Sequence, residues 1–394
     1  MALTRDQPLG LAAGSVRDYR ELARRRLPRQ LFDYIDGGAY EEVTLRANSD
    51  DLATIGLRQR ILRDVSDQTL ATSVLGHDLS IPVVLAPVGL GGMFATRAEV
   101  QAARAAEAAG VAFCESTVSI CSMEEVADAT SSPFWYQLYV MRDRSYAEDL
   151  MRRADAVGCR VLVLTVDLPV VGARYRDTRN GMNESVPPLK GIRRGLDLLC
   201  HPTWLRDVAV KGRPLTFGNL EKAVPGAQSP NSFKSWVDSQ FDPSVTWDDL
   251  DWVREHWPHK IVIKGILDVD DAKQAAASGV DGIIVSNHGG RQLDDTPSTI
   301  LALPPVVAAV GDDVEVLLDG GIRSGLDVTK ALALGARAVL IGRAWAFGVA
   351  GNGQAGVAHV LDIIRKEMEV AMALVGVNDV ADLDEQILLD PPTG

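Results

Sequence analysis

The sequence predicts an α/β fold, a (β/α)8 TIM barrel in which eight parallel strands close inside a ring of helices. Short, nearly continuous apolar runs recur eight times along the chain, as expected of parallel strands that are buried on both faces. Alanine-rich amphipathic segments lie between most of these runs and end in glycine, as helices often do. Eight such units favour a closed barrel over an open, doubly wound sheet.

The eight strands are predicted, in chain order, at residues 81–87, 111–117, 134–140, 160–167, 260–265, 282–290, 314–321 and 337–343. The clearest helical segments are "RAEVQAARAAEAAG", after the first strand, and "DVTKALALGA", after the seventh. Roughly ninety residues separate the fourth and fifth strands, far more than an ordinary connection between a strand and a helix. Residues 180–240 are therefore interpreted as an insertion that we expect to be mobile, and "VTWDDLDWVREHW" as the fourth helix.

Two segments flank the barrel, which is expected to span 81–370 of a single domain of 394 residues. Residues 1–80 look mainly helical, because "SVRDYRELARRRLP" opens on a serine that can cap a helix. We expect them to form a lid or a base. Residues 371–394 form a C-terminal segment.

The composition indicates a globular protein and argues against several classes of function. Apolar residues make up 46% and charged residues 24% of the chain, enough for a large core and without signs of wholesale disorder. A net charge of -13 argues against general nucleic-acid binding, which needs a basic surface. The four cysteines, Cys114, Cys121, Cys159 and Cys200, form neither CxxC pairs nor a disulfide framework, so we expect a reducing compartment and no metal site. We recognise no signal peptide and no membrane-spanning segment.

Polar residues stand at the carboxyl ends of the predicted strands, where barrels of this type carry their active sites. These residues are Gln137, Tyr139, Thr165, Asp167, Lys264, Ser286, His288 and Asp319. Any one of them is more simply explained as a hydrogen-bonded core residue. Eight of them on one rim predict a site.

A phosphate site is predicted at the last two strands. Gly320 and Gly321 precede Arg323, and Gly342 precedes Arg343. Glycines allow a ligand to approach the backbone, and barrels often bind phosphate here through N–H groups and arginines. A phosphorylated substrate and flavin mononucleotide (FMN) both fit this pattern.

The stretch "SNHGGRQLD" adds a base and an anion-binding group. His288 is the only one of the six histidines at a strand end within a glycine loop, and its ordinary pKa suits a general base at neutral pH. Arg291 can bind a carboxylate through two parallel hydrogen bonds. Lys264 suits either a structural ion pair or a cation beside a cofactor that becomes anionic on reduction.

Together with "TVDLPVVGARYRD", "WYQLYV", "VIKGI" and "LDGGIRSGLDVTKALALGA", this motif resembles the FMN-dependent enzymes that oxidise L-2-hydroxy acids. The resemblance covers the chain from about Asp18 to about Ile387. Within that family, "FDYIDGGAYEE", "LRQRIL", "APVGLGGM", "GARYRD" and "GRPLTFGNL" look most like the bacterial membrane-associated L-lactate dehydrogenases.

The resemblance implies a role for each matching residue. His288 is the base, Asp167 stabilises its imidazolium form, Arg174 and Arg291 bind the substrate carboxylate, and Tyr34 and Tyr139 add hydroxyl contacts. FMN is held by residues in four groups: Pro87, Val88 and Gly89 along the ring; Ser116, Gln137, Thr165 and Lys264 around it, with Lys264 at N1/O2; Ser286 at the ribityl chain; and Asp319, Gly321, Arg323, Gly342 and Arg343 towards the phosphate. The implied reaction oxidises an L-2-hydroxy acid to a 2-oxo acid, by hydride transfer or through a carbanion.

The electron acceptor is expected to be a membrane quinone. The segment "LKGIRRGLDLLCHPTWLRDVAVKGRP" holds six basic and two acidic residues among Leu, Trp and Val, which suits contact between residues 188–232 and an anionic bilayer. The alternative is a merely solvated loop or an oligomer contact. The family resemblance implies a homotetramer or larger homo-oligomer, peripheral on the cytoplasmic side of the plasma membrane.

Substrate and acceptor type depend on a few further positions. Val118 and Val171 match the substrate side-chain pocket, and a pocket without a large aromatic admits mandelate as well as lactate. Gly89 stands where oxidases of the family tend to carry alanine, which favours a dehydrogenase over an oxidase. An inosine-monophosphate-dehydrogenase-like barrel would need a catalytic cysteine loop that no cysteine here supplies. An inactive flavin-binding scaffold would not need His288 and its partners.

Overall fold

Three helices and a hairpin precede the barrel in the computed structural model, which describes residues 13–182, 188–223 and 239–389. Ser15 caps the first helix by accepting a hydrogen bond from the amide of Asp18, as predicted. The helices are α1 (Val16–Arg26), α2 (Arg29–Asp36) and α3 (Val43–Thr54), and the short strands that follow are β1 (Gly56–Leu57), β2 (Thr72–Val74) and β3 (His77–Leu79). β2 and β3 pair antiparallel.

Eight parallel strands form a closed barrel. Each overlaps one of the predicted runs, and they are β4 (Val83–Leu85), β5 (Ala112–Ser116), β6 (Trp135–Leu138), β7 (Val161–Thr165), β8 (Lys260–Ile266), β9 (Gly282–Val285), β10 (Glu315–Asp319) and β11 (Ala338–Ile341). β10 pairs with β9 on one side and β11 on the other, and β11 pairs with β4, which closes the cylinder. The prediction of a (β/α)8 barrel is confirmed.

Helices surround the strands. After β4, β5 and β6 come α4 (Ala98–Ala109), α5 (Met123–Ala129) and α6 (Arg144–Ala156). The region after β7 contains α7 (Tyr175–Asn180), α8 (Pro188–Leu199), α9 (Pro202–Trp204), a π-helical turn (Leu205–Val210) and a 3-10 segment (Gly218–Ala223). The remaining elements are α10 (Asp249–His256), α11 (Val269–Ala277), α12 (Thr299–Val310), α13 (Gly325–Ala333), α14 (Arg343–Val375) and the last strand, β12 (Leu388–Leu389), which pairs with β1.

Three expectations concern the helices and the insertion. α10 lies within the segment predicted as the fourth helix. α14 crosses position 370, so the boundary expected there lies inside a helix. The mobility expected of the insertion stays a prediction. No helix among the described ranges is long and apolar enough to cross a membrane.

The barrel interior is filled by side chains from alternate strand positions, and the hairpin closes its amino-terminal end. Val74, Leu75 and Leu79 of the hairpin pack in one buried cluster with interior residues such as Val84 and Val163. The backbone amide of Leu75 donates to the carboxylate of Glu315 at the start of β10. Because this end is blocked, the open end for a ligand is the opposite one, where the strands finish.

Candidate active site

A cavity lies at the carboxyl ends of the barrel strands. Most of the predicted site residues line it: Tyr34, Pro87, Val88, Gly89, Ser116, Tyr139, Thr165, Arg174, Lys264, His288, Arg291, Asp319, Gly321, Arg323, Gly342 and Arg343. The prediction that these residues share one rim therefore agrees with their positions. Through Tyr34, α2 contributes to the cavity, so the N-terminal segment is part of the site.

Three predicted residues stand behind the lining, and each holds a residue that does line the cavity. Asp167 accepts from His288 at 2.8 Å. Gln137 Oε1 accepts from the hydroxyl of Ser116 at 3.1 Å. Ser286 is fully buried, and its hydroxyl lies 2.9 Å from Lys264 Nζ, so the structure places it beneath the lysine and not along the cavity wall.

His288 occupies a sharp turn after β9. Its own φ is +57°, and Gly289 and Gly290 continue with φ of +64° and +70°, a conformation that glycine adopts without strain. Glycine is also required at 290 by packing, because a Cβ there would lie 2.6 Å from the backbone nitrogen of Leu45. The turn brings the imidazole back over the cavity while α3 packs against the loop.

The loop is held from below by two asparagines. Asn48 of α3 and Asn287 exchange side-chain hydrogen bonds of 2.9 and 2.8 Å. Asn287 Oδ1 also accepts from the amide of Gly290 at 3.0 Å. Both side chains are buried, so this paired network restrains the backbone on either side of His288.

The hydrogen bond between His288 and Asp167 determines which nitrogen of the imidazole carries the proton. Burial holds the pKa of His288 below its ordinary value, although Asp167 opposes this effect. Burial would raise the pKa of Asp167, but the charge and hydrogen bond of His288, together with the charge of Lys264, outweigh burial and hold that pKa low. A carboxylate only accepts, so Nδ1 of His288 carries the proton and Nε2 presents its lone pair.

Arg291 is oriented by backbone carbonyls of the N-terminal segment. Its Nη1 donates to the oxygens of Tyr34 and Gly37, at 2.5 and 2.9 Å, which uses both N–H groups of that nitrogen. Arg291 also contacts the Tyr34 side chain, with its Cζ 4.8 Å from the ring centroid, and its Nε and Nη2 donors are those expected to bind a carboxylate. Burial, with the nearby charge of Arg174, lowers the pKa of Arg291 to about 10, and an anion bound between the two would relieve this repulsion.

Lys264 forms a buried ion pair. Its Nζ lies 2.9 Å from Asp319 Oδ2, and its side chain is 5% exposed. Burial would lower its pKa, but Asp319 and Asp167 outweigh burial and raise it. The lysine is therefore a fixed cation in the cavity wall. The expectation of a cation at this strand end agrees with this geometry.

Several buried polar atoms around Lys264 have no hydrogen-bond partner among the described residues. They are Gln137 Nε2, Thr165 Oγ1 and Asp319 Oδ1. Leaving such atoms unpaired is costly. A flavin ring offers both donors and acceptors at its pyrimidine edge, and its ribityl chain offers hydroxyl groups, so these residues fit FMN.

Arg323 and Arg343 lie where the phosphate was expected, but Arg343 has a further role. It donates from Nε to Ile35 O at 2.9 Å, from Nη1 to Gly289 O at 2.8 Å and from Nη2 to Gly37 O at 2.8 Å. Two of its five N–H groups remain for a phosphate. Burial lowers the pKa of both arginines, which again favours a bound anion.

The reason for glycine at 321 differs from the one expected. A Cβ at this position would collide with the carbonyl oxygen of Asn48 in α3, and its φ is +83°. The glycine is thus required by the packing of α3 against the strand end, apart from any ligand. At Gly342, by contrast, a Cβ would meet only ordinary contacts at 3.7 Å.

The sequence did not reveal the aromatic side chains of the cavity. Phe94, Phe217 and Phe241 line it together with Val118 and Val171, so the cavity carries large aromatic side chains that the sequence argument did not consider. The ring of Phe241 lies edge-on to Tyr139, with 5.3 Å between centroids. Phe217 lies within the insertion and Phe241 directly follows it, where no strand-end signal marks them.

The chain is similar to known proteins over nearly its whole length. The family model described as FMN-dependent dehydrogenase matches residues 23–390. L-lactate dehydrogenase of Caulobacter vibrioides is 55% identical over 380 residues, which cover 96% of this chain and 98% of the relative. The L-lactate dehydrogenase of Acinetobacter baylyi is 51% identical, over 95% of this chain and 97% of its own.

Solved structures agree with this similarity. The crystal structure of the monotopic membrane protein (S)-mandelate dehydrogenase superposes with a TM-score of 0.90 at 37% identity, covering 96% of this chain and all of the other. The expected resemblance and the expected cofactor, FMN, are confirmed. The family match over nearly the whole chain establishes that the protein belongs to the FMN-dependent dehydrogenases.

Proposed function

We propose that the protein oxidises an L-2-hydroxy acid to the corresponding 2-oxo acid, with L-lactate as the favoured substrate. The observation that carries the proposal is the 2.8 Å hydrogen bond between His288 Nδ1 and Asp167, which leaves Nε2 as a base beside Arg291. Lactate is supported by curated relatives of that activity at 51–55% identity.

The residues divide the work of this reaction. Arg291 and Arg174 bind the substrate carboxylate, and Tyr34 and Tyr139 contact its oxygens. Nε2 of His288 takes up a proton from the substrate, and Asp167 stabilises the imidazolium that results. FMN, when bound, would supply the two-electron acceptor. The buried cation of Lys264 would stabilise the negative charge that develops on it.

The remaining predicted residues hold the cofactor. Pro87, Val88 and Gly89 would lie along the ring, and its polar edge would be bound by Ser116, Gln137, Thr165 and Lys264. Ser286 acts through Lys264. Asp319, Gly321, Arg323, Gly342 and Arg343 hold the ribityl and phosphate groups.

Anaerobic reduction of the purified holoenzyme tests the reaction. Addition of L-lactate is expected to bleach the yellow flavin absorbance, and D-lactate is the matched control. Absence of bleaching with lactate, glycolate and mandelate alike would contradict the proposal.

A larger 2-hydroxy acid is the second candidate. The cavity carries Phe94, Phe217 and Phe241, which suit contact with an aryl side chain. Mandelate enzymes among the solved structures are 36–37% identical to this chain, below the lactate enzymes. Comparison of kcat/KM for L-lactate and (S)-mandelate decides between them.

We also propose that the insertion rests on an anionic bilayer and that a membrane quinone receives the electrons. Ile192, Leu196 and Leu199 are 63%, 58% and 70% exposed and recur with helical spacing on one face of α8. Asp197, on the same helix, turns inward and accepts from the amide of Arg29 at 2.8 Å. Such a face suits shallow burial in a membrane.

The relatives offer support for this location, since one solved structure is described as a monotopic membrane protein. The expected bilayer segment, 188–232, continues beyond residue 223 into a part that lies outside the described residues. We further propose the cytoplasmic side of the plasma membrane and a homotetramer or larger assembly. Quinone reduction by membrane vesicles loaded with the enzyme, compared with oxygen uptake, tests the acceptor.

A further inference from the structure

We propose that Arg176 is a positioning residue for the substrate clamp, acting through the turn that orients Arg291. The inference rests on the proposed function, in which Arg291 binds the substrate carboxylate. Arg176 lies outside the cavity lining and is two residues from Arg174 in "GARYRD".

Arg176 bridges two carboxylates on either side of this turn. Its Nη1 lies 2.9 Å from Asp36 Oδ2, and its Nη2 lies 2.6 Å from Glu42 Oε2. Glu42 in turn accepts from the backbone amide of Gly38 at 3.0 Å. A guanidinium spans two acceptors in one plane, which a lysine cannot do. The turn at Gly37 and Gly38 is therefore held at both ends.

The turn carries the acceptors of Arg291. The carbonyls of Tyr34 and Gly37 take both N–H groups of Nη1. Since a guanidinium is planar, these two hydrogen bonds restrict the direction of its Nε and Nη2 donors. A shift of the Gly37 carbonyl would rotate the edge that receives the carboxylate.

Two further hydrogen bonds connect this turn with Arg174, the second arginine of the clamp. The amide of Tyr40 donates to the carbonyl of Ala173 at 2.7 Å, directly before Arg174. Arg174 Nε donates to the carbonyl of Arg291 at 3.3 Å. Arg176 thus ties the segment that carries Arg174 to the turn that orients Arg291.

Loss of Arg176 leaves the buried charge of Asp36 paired. Arg20 also contacts this carboxylate, at 2.5 Å from Nε to Oδ1 and 2.9 Å from Nη2 to Oδ2. Burial would raise the pKa of Asp36, but its hydrogen bonds and charge interactions with Arg20 and Arg176 hold that pKa low. An Arg176→Gln variant is therefore expected to fold and to bind FMN.

Oxalate binding to the holoenzyme tests the inference, followed by the change in flavin absorbance. The Kd for oxalate and the KM for L-lactate are each expected to rise about tenfold in Arg176→Gln, with kcat changed less than about threefold. Arg176→Lys is expected to recover part of the loss, because it keeps one of the two ion pairs. Arg179→Gln is the matched control, since Arg179 is exposed on the same helix and is expected to leave both constants unchanged.

The outcomes separate the inference from the proposed function. Arg291→Lys is expected to weaken oxalate more than Arg176→Gln does; oxalate binding unaffected by Arg291→Lys would overturn the clamp itself. If Arg291→Lys weakens oxalate but Arg176→Gln does not, Arg176 has no positioning role. A lower melting temperature in Arg176→Gln with unchanged oxalate Kd would likewise overturn the inference, because a purely structural contact predicts that pattern.

Discussion

Arg291 and Arg343 donate to the same acceptor, the carbonyl oxygen of Gly37, at 2.9 and 2.8 Å. This oxygen follows the last residue of α2, where helix carbonyls lack intrahelical partners and attract cations. The residue expected to bind the substrate carboxylate and the one expected to bind the phosphate therefore share one backbone support. The N-terminal segment acts as the scaffold that positions them.

The pH dependence of kcat/KM is expected to follow His288. The base works only when neutral, and burial lowers its pKa, so activity should fall on the acid side only below about pH 6.5, the ordinary value. Asp167→Asn removes a group that raises this pKa. The acid limb should then move to still lower pH, while kcat falls by about 10² to 10⁴ because the imidazolium is no longer stabilised. A limb that moves to higher pH in steady-state kinetics would contradict this.

Substitutions of Lys264 and Asp319 are expected to be coupled in the free energy of unfolding but not in the midpoint potential of FMN. Lys264→Met leaves the buried Asp319 charge unpaired and should cost about 3–5 kcal/mol in the free energy of unfolding. Lys264→Met/Asp319→Asn should recover most of that loss, as measured by chemical denaturation. The midpoint potential of bound FMN should be lowered in both variants, because the cation beside it is absent from both. An unchanged potential in the double variant would exclude this role for the lysine.

The cost of adding a methyl group at Gly89, measured as the free energy of unfolding, is expected to depend strongly on the side chain of Val118. A Cβ at position 89 would lie 2.6 Å from Val118 Cγ2, so Gly89→Ala should lower the free energy of unfolding by about 1–3 kcal/mol. In a Val118→Ala background the same change should cost less than half as much. Equal costs in the two backgrounds, measured as a double-mutant cycle, would show that the backbone and not Val118 absorbs the methyl group.

Membrane binding is expected to depend on the exposed face of α8. Leu196→Glu should weaken binding to vesicles containing anionic lipid about tenfold or more, because a carboxylate replaces an apolar side chain that would enter the bilayer, and it meets like charge there. Val370→Glu on α14 is the matched control, since both side chains are 58% exposed. Activity with a soluble dye should be unchanged in both. Equal vesicle binding by the two variants would argue against this face.

Point substitutions test this surface better than deletion of the whole insertion. Phe217 lines the cavity. Asn219 accepts from the amide of Met123 at 2.8 Å and donates to the carbonyl of Ser116 at 3.2 Å. Removal of residues 188–232 would therefore alter the active site as well as the membrane contact.

Much of the site was predictable because strand ends are marked locally. The residues that follow each apolar run meet on one rim, so Lys264, His288 and Asp319 were identified without knowledge of their neighbours. Phe217 and Phe241 carry no such mark, since Phe217 lies within the insertion and Phe241 directly after it, and neither follows one of the apolar runs of the barrel. Ser286 was recognised as a site residue, yet its place beneath Lys264 follows only from the contacts between two strands.

The sequence by itself determined the eight strands and the rim on which the polar residues meet, and it singled out His288 and Arg291 as the candidate base and anion-binding group. These follow from local apolar periodicity and from side-chain chemistry. Only the tertiary structure decided which edge of Arg291 remains for a substrate, because its acceptor in Tyr34 lies 257 positions away along the chain. The 2.5 Å hydrogen bond from Arg291 Nη1 to the carbonyl of Tyr34 depends on how α2 packs on the barrel. No local pattern in the sequence encodes that packing.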